Sequence, residues 1–425
     1  MIVQGLLLAR MSMKRSKKSK MNETIKLLQI SPLITLLLLA FFTACSQGQG
    51  DTLEQELLFT LEIGRMEDDI DLVEQYGEAS THKTTLVMRD GLFFISNGNA
   101  GKVMEFNSYG DIISLYYNPQ ENPAPVVLKE NGEAGELSNR RAFPWPYNRI
   151  GEMGLSGNGI LLVEEKAQDY QIAFDEELGV SLHSIILRFT EDGEILDFLG
   201  QEGVGGTPFP YIEEIQTVRE GKAAVISRAV DRWLFFLFDH QGVQLAQETF
   251  RPEEIPLPAG ASGFELPSIK KIFTDYEGGV VYVIADFYRT DREGGVNFDH
   301  TAVATFDLEE KRWLERIPLP EKLIGKESGG IIEQDGYATI YEAIGVSRDD
   351  HLFFIAPEEG DLFELMIMSR DGTVRSRKKI SLRDDEISYR DLYLSREGIL
   401  CALLAYEFEV DIVWWRSDRL LEETL

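Results

Sequence analysis

Charged side chains recur at one kind of place in this sequence. Lys83, Glu213, Lys270, Glu342 and Arg390 each stand eight positions before the last residue of a short turn, namely Gly91, Gly221, Gly278, Asp350 and Gly398. Gly151 stands in the same relation to Gly159. If the strands that begin there share an axis, charges of mixed sign meet in a ring. Such a ring suits a polar or zwitterionic ligand, and carboxylates such as Glu213 and Glu342 converging from different sheets are what a hydrolase or lyase needs for acid–base work. The alternative, and the favoured one, is a set of solvated strand ends paired with one another. Aromatic residues stand nearby. Trp145 and Tyr147 lie in the run Phe143, Pro144, Trp145, Pro146, Tyr147, and Tyr211 follows Phe209 and Pro210. Proline suits the first residue of a strand, and the rings fit stacking on a ligand or, the favoured reading, packing between sheets.

Other chemistry has little support. There is no His-Glu-x-x-His motif, phosphate-binding glycine loop, nucleophile elbow or paired cysteine motif. The histidines, His82, His183, His240, His300 and His351, are scattered without ligand spacing, so neither a metal nor another cofactor is expected. Glu67, Asp68, Asp69 and Asp71 lack the glycine and later glutamate of an EF-hand loop and read as a solvated acidic stretch. Cys401, in the apolar run Ile399 to Leu404, reads as a small buried residue.

The elements that position these residues show as a repeat. Six units each carry a turn before an apolar strand: Arg89 to Gly91, Gly157 to Gly159, Arg219 to Gly221, Tyr276 to Gly278, Arg348 to Asp350 and Arg396 to Gly398. A second landmark follows in every unit. A strand ends in a large apolar residue with a turn glycine four positions on, as in Phe106 with Gly110, Phe189 with Gly193, Phe238 with Gly242 and Met368 with Gly372. Phe306 with Glu310 and Trp415 with Arg419 keep the spacing without glycine. Each unit therefore predicts four short antiparallel strands, apolar on both faces. Stacking such sheets radially buries both faces without leaving long edges, so the chain is expected to be all-β, a β-propeller of six four-stranded blades. The last unit is expected to supply its own fourth strand at Leu420 to Leu425, and Leu57 to Ile63 to add an outer strand or close the ring.

The first 45 residues differ from the rest. Lys14, Arg15, Lys17, Lys18 and Lys20 precede an apolar stretch from Leu33 to Phe42, followed by Thr43, Ala44 and Cys45. This pattern resembles a bacterial lipobox, with Phe42 where leucine is usual. The resemblance implies a signal peptide over 1–44, acylation of Cys45, a tether over 45–56 and a propeller domain over 57–425, its blades starting near residue 80. The anchor would then be the acyl chains, on the periplasmic face or the cell surface. In the whole chain 42 Lys and Arg face 72 Asp and Glu; residues 1 to 44 hold seven basic residues and one Glu, leaving 35 against 71, a charge of −36 on the exported part. That excludes nucleic acid as a natural partner and keeps a membrane-tethered monomer soluble.

The first unit, Leu86 to Ile113, resembles an NHL-type blade in Asp90-Gly91, Leu92 to Ile95, Asn97 to Val103 and Phe106 with Gly110. The resemblance implies an NHL-like six-bladed lipoprotein, a group composed mostly of binding scaffolds with some enzymes. Units two and four carry insertions, Glu164 to Ser184 and Asp286 to Thr301, and the longest connector spans Pro119 to Tyr147. Blade topology puts all three on one face, the top, which is the expected functional face. The expected function is a binding or scaffolding module for a protein, peptide or saccharide partner; the alternative is a hydrolase or lyase with a carboxylate site at the channel mouth.

Overall fold

Six small antiparallel sheets form a ring in a computed structural model that describes residues 51–72, 82–130, 140–258, 266–291, 293–324, 327–328, 331–332, 337–338, 340–358, 360–382 and 386–422. The expected six-bladed propeller is the observed fold. The innermost strands are Thr84–Arg89, Ile150–Leu155, Tyr211–Thr217, Ser268–Thr274, Glu342–Val346 and Tyr389–Leu394, in blades 1 to 6.

Both landmarks of the repeat have a backbone cause. The first turns need left-handed residues: Asp90 with Gly91 (φ 53° and 77°) supply them in a two-residue hairpin, and Glu220 with Gly221 (φ 62° and 76°) in a longer turn closed by Val218 N on Lys222 O. At the second landmark the pairing slips by one residue next to Phe106, Phe189, Phe238, Phe306 and Met368, the mark of a turn closed by a bulge. Asn107 and Asp239 fasten two of these turns, each side-chain oxygen accepting two backbone N–H groups. Where glycine is missing in blade 4, the left-handed position moves to Lys311 (φ 50°).

Alternation along each strand sends neighbouring side chains to opposite interfaces. Leu86 and Met88 pack toward blade 6, while Val87 between them packs toward blade 2. The buried apolar side chains consequently gather in six clusters, one between each pair of adjacent blades.

Blade 6 departs from the expectation. Leu420 lies in the short helix Arg419–Glu422, and residues 423–425 lie outside the described residues. The fourth strand comes instead from the N-terminus: Glu56–Glu62 pairs antiparallel with Glu409–Trp415 and closes the ring. The propeller unit therefore includes what was read as the end of a tether, since it begins at Thr52. Cys45 and the preceding leader lie outside the described residues.

The three long segments differ in kind. That of blade 2 holds a small hairpin, Ala173–Asp175 with Val180–Leu182. That of blade 4 is no loop, because the second and third strands run on as Val280–Thr290 and Val296–Asp307. Part of the long connector, Arg141–Pro144, joins blade 1 as an outer parallel strand.

The acidic stretch is likewise more than solvated surface. Lys102 is buried beside it, donates to Met66 O, and is held down to about 8 by burial against the attraction of Asp69, Asp68, Asp71 and Glu67. Glu67 in turn accepts the Val126 and Val127 amides at 2.7 and 2.9 Å. Cys401 is buried and unbridged, as read.

Candidate functional site

Residues from all six innermost strands line one cavity of about 360 Å³ on the ring axis. Its chemistry follows from strand irregularities. Blades 2, 3, 4 and 5 each carry a register shift in the innermost strand, between Ile150 and Met153, Ile212 and Glu214, Ile269 and Lys271, and Ala343 and Gly345. A bulge re-aims the side chains around it, so the residue after the expected one faces the channel. Glu152, Glu214 and Lys271, each one residue after Gly151, Glu213 and Lys270, line the cavity; Asp391 does so beside Arg390 on a strand with no register shift, and Glu213 lines it as well.

The expected ring residues fare differently from one another. Lys83 is a wall residue that ties three blades together. Its ammonium lies 3.2 Å from Glu152 Oε1, 3.1 Å from Glu164 Oε2 and 2.5 Å from Ile212 O, and 4.2 Å over the Tyr211 ring. Glu213 lines the mouth and pairs with Arg228 at 2.9 Å. Lys270 turns to the buried Asp286 carboxylate at 3.4 Å, and Glu342 pairs with Arg390 at 3.6 Å. Glu213 and Glu342 are each bound by an arginine at the rim rather than presented together, so they do not form the catalytic pair considered above. Gly151 also has a reason. A Cβ there would lie 2.3 Å from Glu164 Oε2, so the missing side chain is the space into which that carboxylate reaches.

The aromatic candidates divide. Tyr211 lines the cavity and is 42% exposed. Trp145 and Tyr147 instead pack on Phe189, with ring centroids 5.9 and 6.2 Å away, and belong to the core between blades 1 and 2. They are packing residues, which corrects their assignment to binding.

Deeper in the channel the carboxylates are hard to ionise. Burial pushes Glu152 up to about 8; Lys83 opposes the shift without cancelling it, and Glu164 and Asp391 push the same way as burial. Burial likewise pushes Asp391 up to about 7, although Leu86 N donates to it at 2.7 Å and Lys271 attracts it. Glu214 is raised by burial against the pull of Lys271. Lys83 and Lys271 stay charged: burial opposes this, but the surrounding carboxylates outweigh it. Glu164 takes donors from Ser184 Oγ, Glu152 N and Lys83, whereas Glu152 faces the same ammonium with fewer partners.

Arg396 spans the lower end. It projects from the first turn of blade 6 and donates to Thr217 O of blade 3, Thr274 O of blade 4 and Val346 O of blade 5. Neither Arg396 nor the acids Glu152 and Asp391 was singled out from sequence. Arg396 was visible only as one of four arginines that open a first turn, with Arg89, Arg219 and Arg348. Among the described residues, no three His, Cys, Asp or Glu side chains converge as metal ligands.

No family model and no curated protein matches the chain. Among solved structures, a glucose dehydrogenase is similar to it at 11% identity, covering 85% of this chain and 98% of that one, with a TM-score of 0.36.

Proposed function

We propose that this protein is a lipid-anchored protein of the bacterial cell envelope whose propeller binds a small polar ligand, of peptide or saccharide size or smaller, in the top of its central channel. The supporting observation is the cavity itself: its volume falls within the range of small-molecule sites, and every blade contributes to its wall. Arg396 bridges the lower end, leaving the elaborated upper rim as the way in. Exposed apolar side chains of the upper segments, Val126, Val127, Tyr170, Phe174, Val230, Val296 and Phe408, are spread over blades 1, 2, 3, 4 and 6, with only Val126 and Val127 next to one another in sequence. Single residues of this kind make a weaker case for a broad protein-docking face than a contiguous patch would.

A thermal-shift screen of the detergent-solubilised full chain against amino acids, dipeptides, mono- and disaccharides tests the reading. A ligand at a hundred times its Kd stabilises by about 2.7 kcal/mol. The stabilisation should vanish when Tyr211→Ala and Glu214→Gln are combined; a ligand that stabilises that double variant as well as wild type binds elsewhere, and the channel loses its role. The anchor is tested separately. Cys45→Ser should move the protein from the membrane to the soluble fraction, and continued membrane retention would place the anchor elsewhere.

A second reading, a hydrolase or lyase, draws on Glu152 and Asp391, which hold protons near neutrality as acid–base groups do. Turnover of a bound ligand that is lost in Glu152→Gln with binding retained would favour it.

A further inference from the structure

We infer that the channel ligand is a small organic cation, carrying an ammonium or guanidinium group, and that it enters in exchange for a proton. This rests on the channel being the binding site, and it follows from which groups in the wall remain able to meet a ligand.

Two of the three fixed cations are already engaged. An ammonium has three donors, and Lys83 has three acceptors around it in Glu152, Glu164 and Ile212 O. The Arg396 guanidinium is directed at three carbonyls. Lys271 is held more loosely, 3.9 Å from Glu214. An anionic ligand would have to break the Lys83 and Arg396 contacts, and would meet Lys271 only beside the Glu214 carboxylate. The acceptors are less occupied. Among the described residues Asp391 accepts one hydrogen bond, from Leu86 N, and its carboxylate lines the cavity together with Glu152 and Glu214.

Aromatic residues belong to the wall as well: Tyr211, Tyr389, Tyr393 and Phe273 line the same space, and carboxylates beside aromatic rings are the usual surroundings of a recognised cation. The Tyr211 ring already holds two cations of the protein itself, Lys83 at 4.2 Å and Arg228 at 5.6 Å.

Charge counting points the same way. Apart from Glu213, which Arg228 neutralises at the mouth, Glu152, Glu164, Glu214 and Asp391 are four carboxylates in and behind the wall, against three fixed positive charges on Lys83, Lys271 and Arg396. The cluster is one charge short, and a proton makes up the difference. Glu152 is faced by Lys83, Glu164, Lys271, Tyr389 and Asp391; Asp391 is faced by Lys271, Glu214, Glu342, Tyr389, Glu152 and Cys401. An incoming cation supplies the missing charge, so the carboxyl proton leaves for solvent and the carboxylate remains paired with the ligand.

Calorimetry on the full chain in detergent, in two buffers of different ionisation heat, tests this with agmatine and choline as cationic probes, glucose as a neutral one and citrate as an anionic one. One of the cations should bind with about one proton released, and its affinity should rise by up to tenfold per pH unit from pH 6 toward 7, and less steeply from there to 8 as Asp391 and then Glu152 ionise in the free protein. It should level off above pH 8. Asp391→Asn should weaken cation binding at least tenfold and flatten the pH dependence; Glu214→Gln, read in parallel with melting curves, guards against a variant that fails to fold. Lys270→Gln, outside the cavity, should change neither. Failure of both cations to bind, or binding with no proton released, overturns the inference. Glucose or citrate binding that is lost in Tyr211→Ala overturns the ligand class while leaving the channel as the site, whereas binding indifferent to every channel variant overturns both.

Discussion

Arg396→Met should lower the melting temperature by roughly 5 °C, and Arg396→Lys should recover little of the loss. The guanidinium reaches carbonyls at the lower ends of the innermost strands of blades 3, 4 and 5 from a turn in blade 6. Its planar fork serves several acceptors at once, which a single ammonium on a flexible stem does not. Removal strands three carbonyls, at about 1–3 kcal/mol each when fully buried. These face a channel open to solvent at its far end, so the total should fall toward the lower limit, about 3–4 kcal/mol. For a domain of this size that corresponds to roughly 5 °C, because the unfolding entropy grows with chain length. Calorimetric melting of the three proteins decides it. Equal melting temperatures for wild type and Arg396→Met would mean that the blades hold their spacing without the clamp.

The larger effect belongs to the N-terminal strand. Deleting residues 52–62 should leave a chain that fails to remain a soluble monomer. Without Glu56–Glu62, the third strand of blade 6, Glu409–Trp415, becomes an unprotected edge in a sheet that is apolar on both faces. The strand also bridges to the first blade. Phe59 packs edge-on against Phe93 at 5.7 Å and beside Phe106 at 5.6 Å, so one strand pairs with the last blade while its side chain fills the interface with the first. Phe59→Ala alone should cost about 3–5 kcal/mol by emptying that site. Gly110→Ala should act in the same place by overfilling it, since a Cβ there would lie 2.7 Å from Phe59 Cβ and the residue holds φ +82°. Size-exclusion chromatography with thermal melting is the measurement. A monomeric deletion variant with wild-type melting would show that the ring closes without its strap.

Much of this architecture was legible because β structure writes short-range rules into sequence. The hairpin turns demand left-handed residues, and the strand ends demand large apolar ones, so Asp90-Gly91 and Phe106 with Gly110 could be read locally. The exceptions were legible too, but not their causes. Glu310 stands where glycine is usual because Lys311 takes the left-handed conformation one residue later, and Arg419 because a helical turn follows in place of a strand. The wall of the channel was misread by a single residue. Counting back from a turn locates the start of a strand, but a bulge decides which of two neighbours faces the axis. Nothing local distinguishes Glu213 from Glu214, or Lys270 from Lys271.

By itself the sequence determined the class of the fold, the number of blades and the burial of Cys401, because each depends on residues within a turn or two of one another. Tertiary structure alone decided which strand closes the ring, that Trp145 and Tyr147 serve packing, and that Lys83, Glu152, Glu214, Lys271, Asp391 and Arg396 share one cavity. Those residues come from five blades and as many as 313 positions separate Lys83 from Arg396. Their protonation and pairing are set by mutual distance and by exclusion of water, and neither exists until the ring has closed.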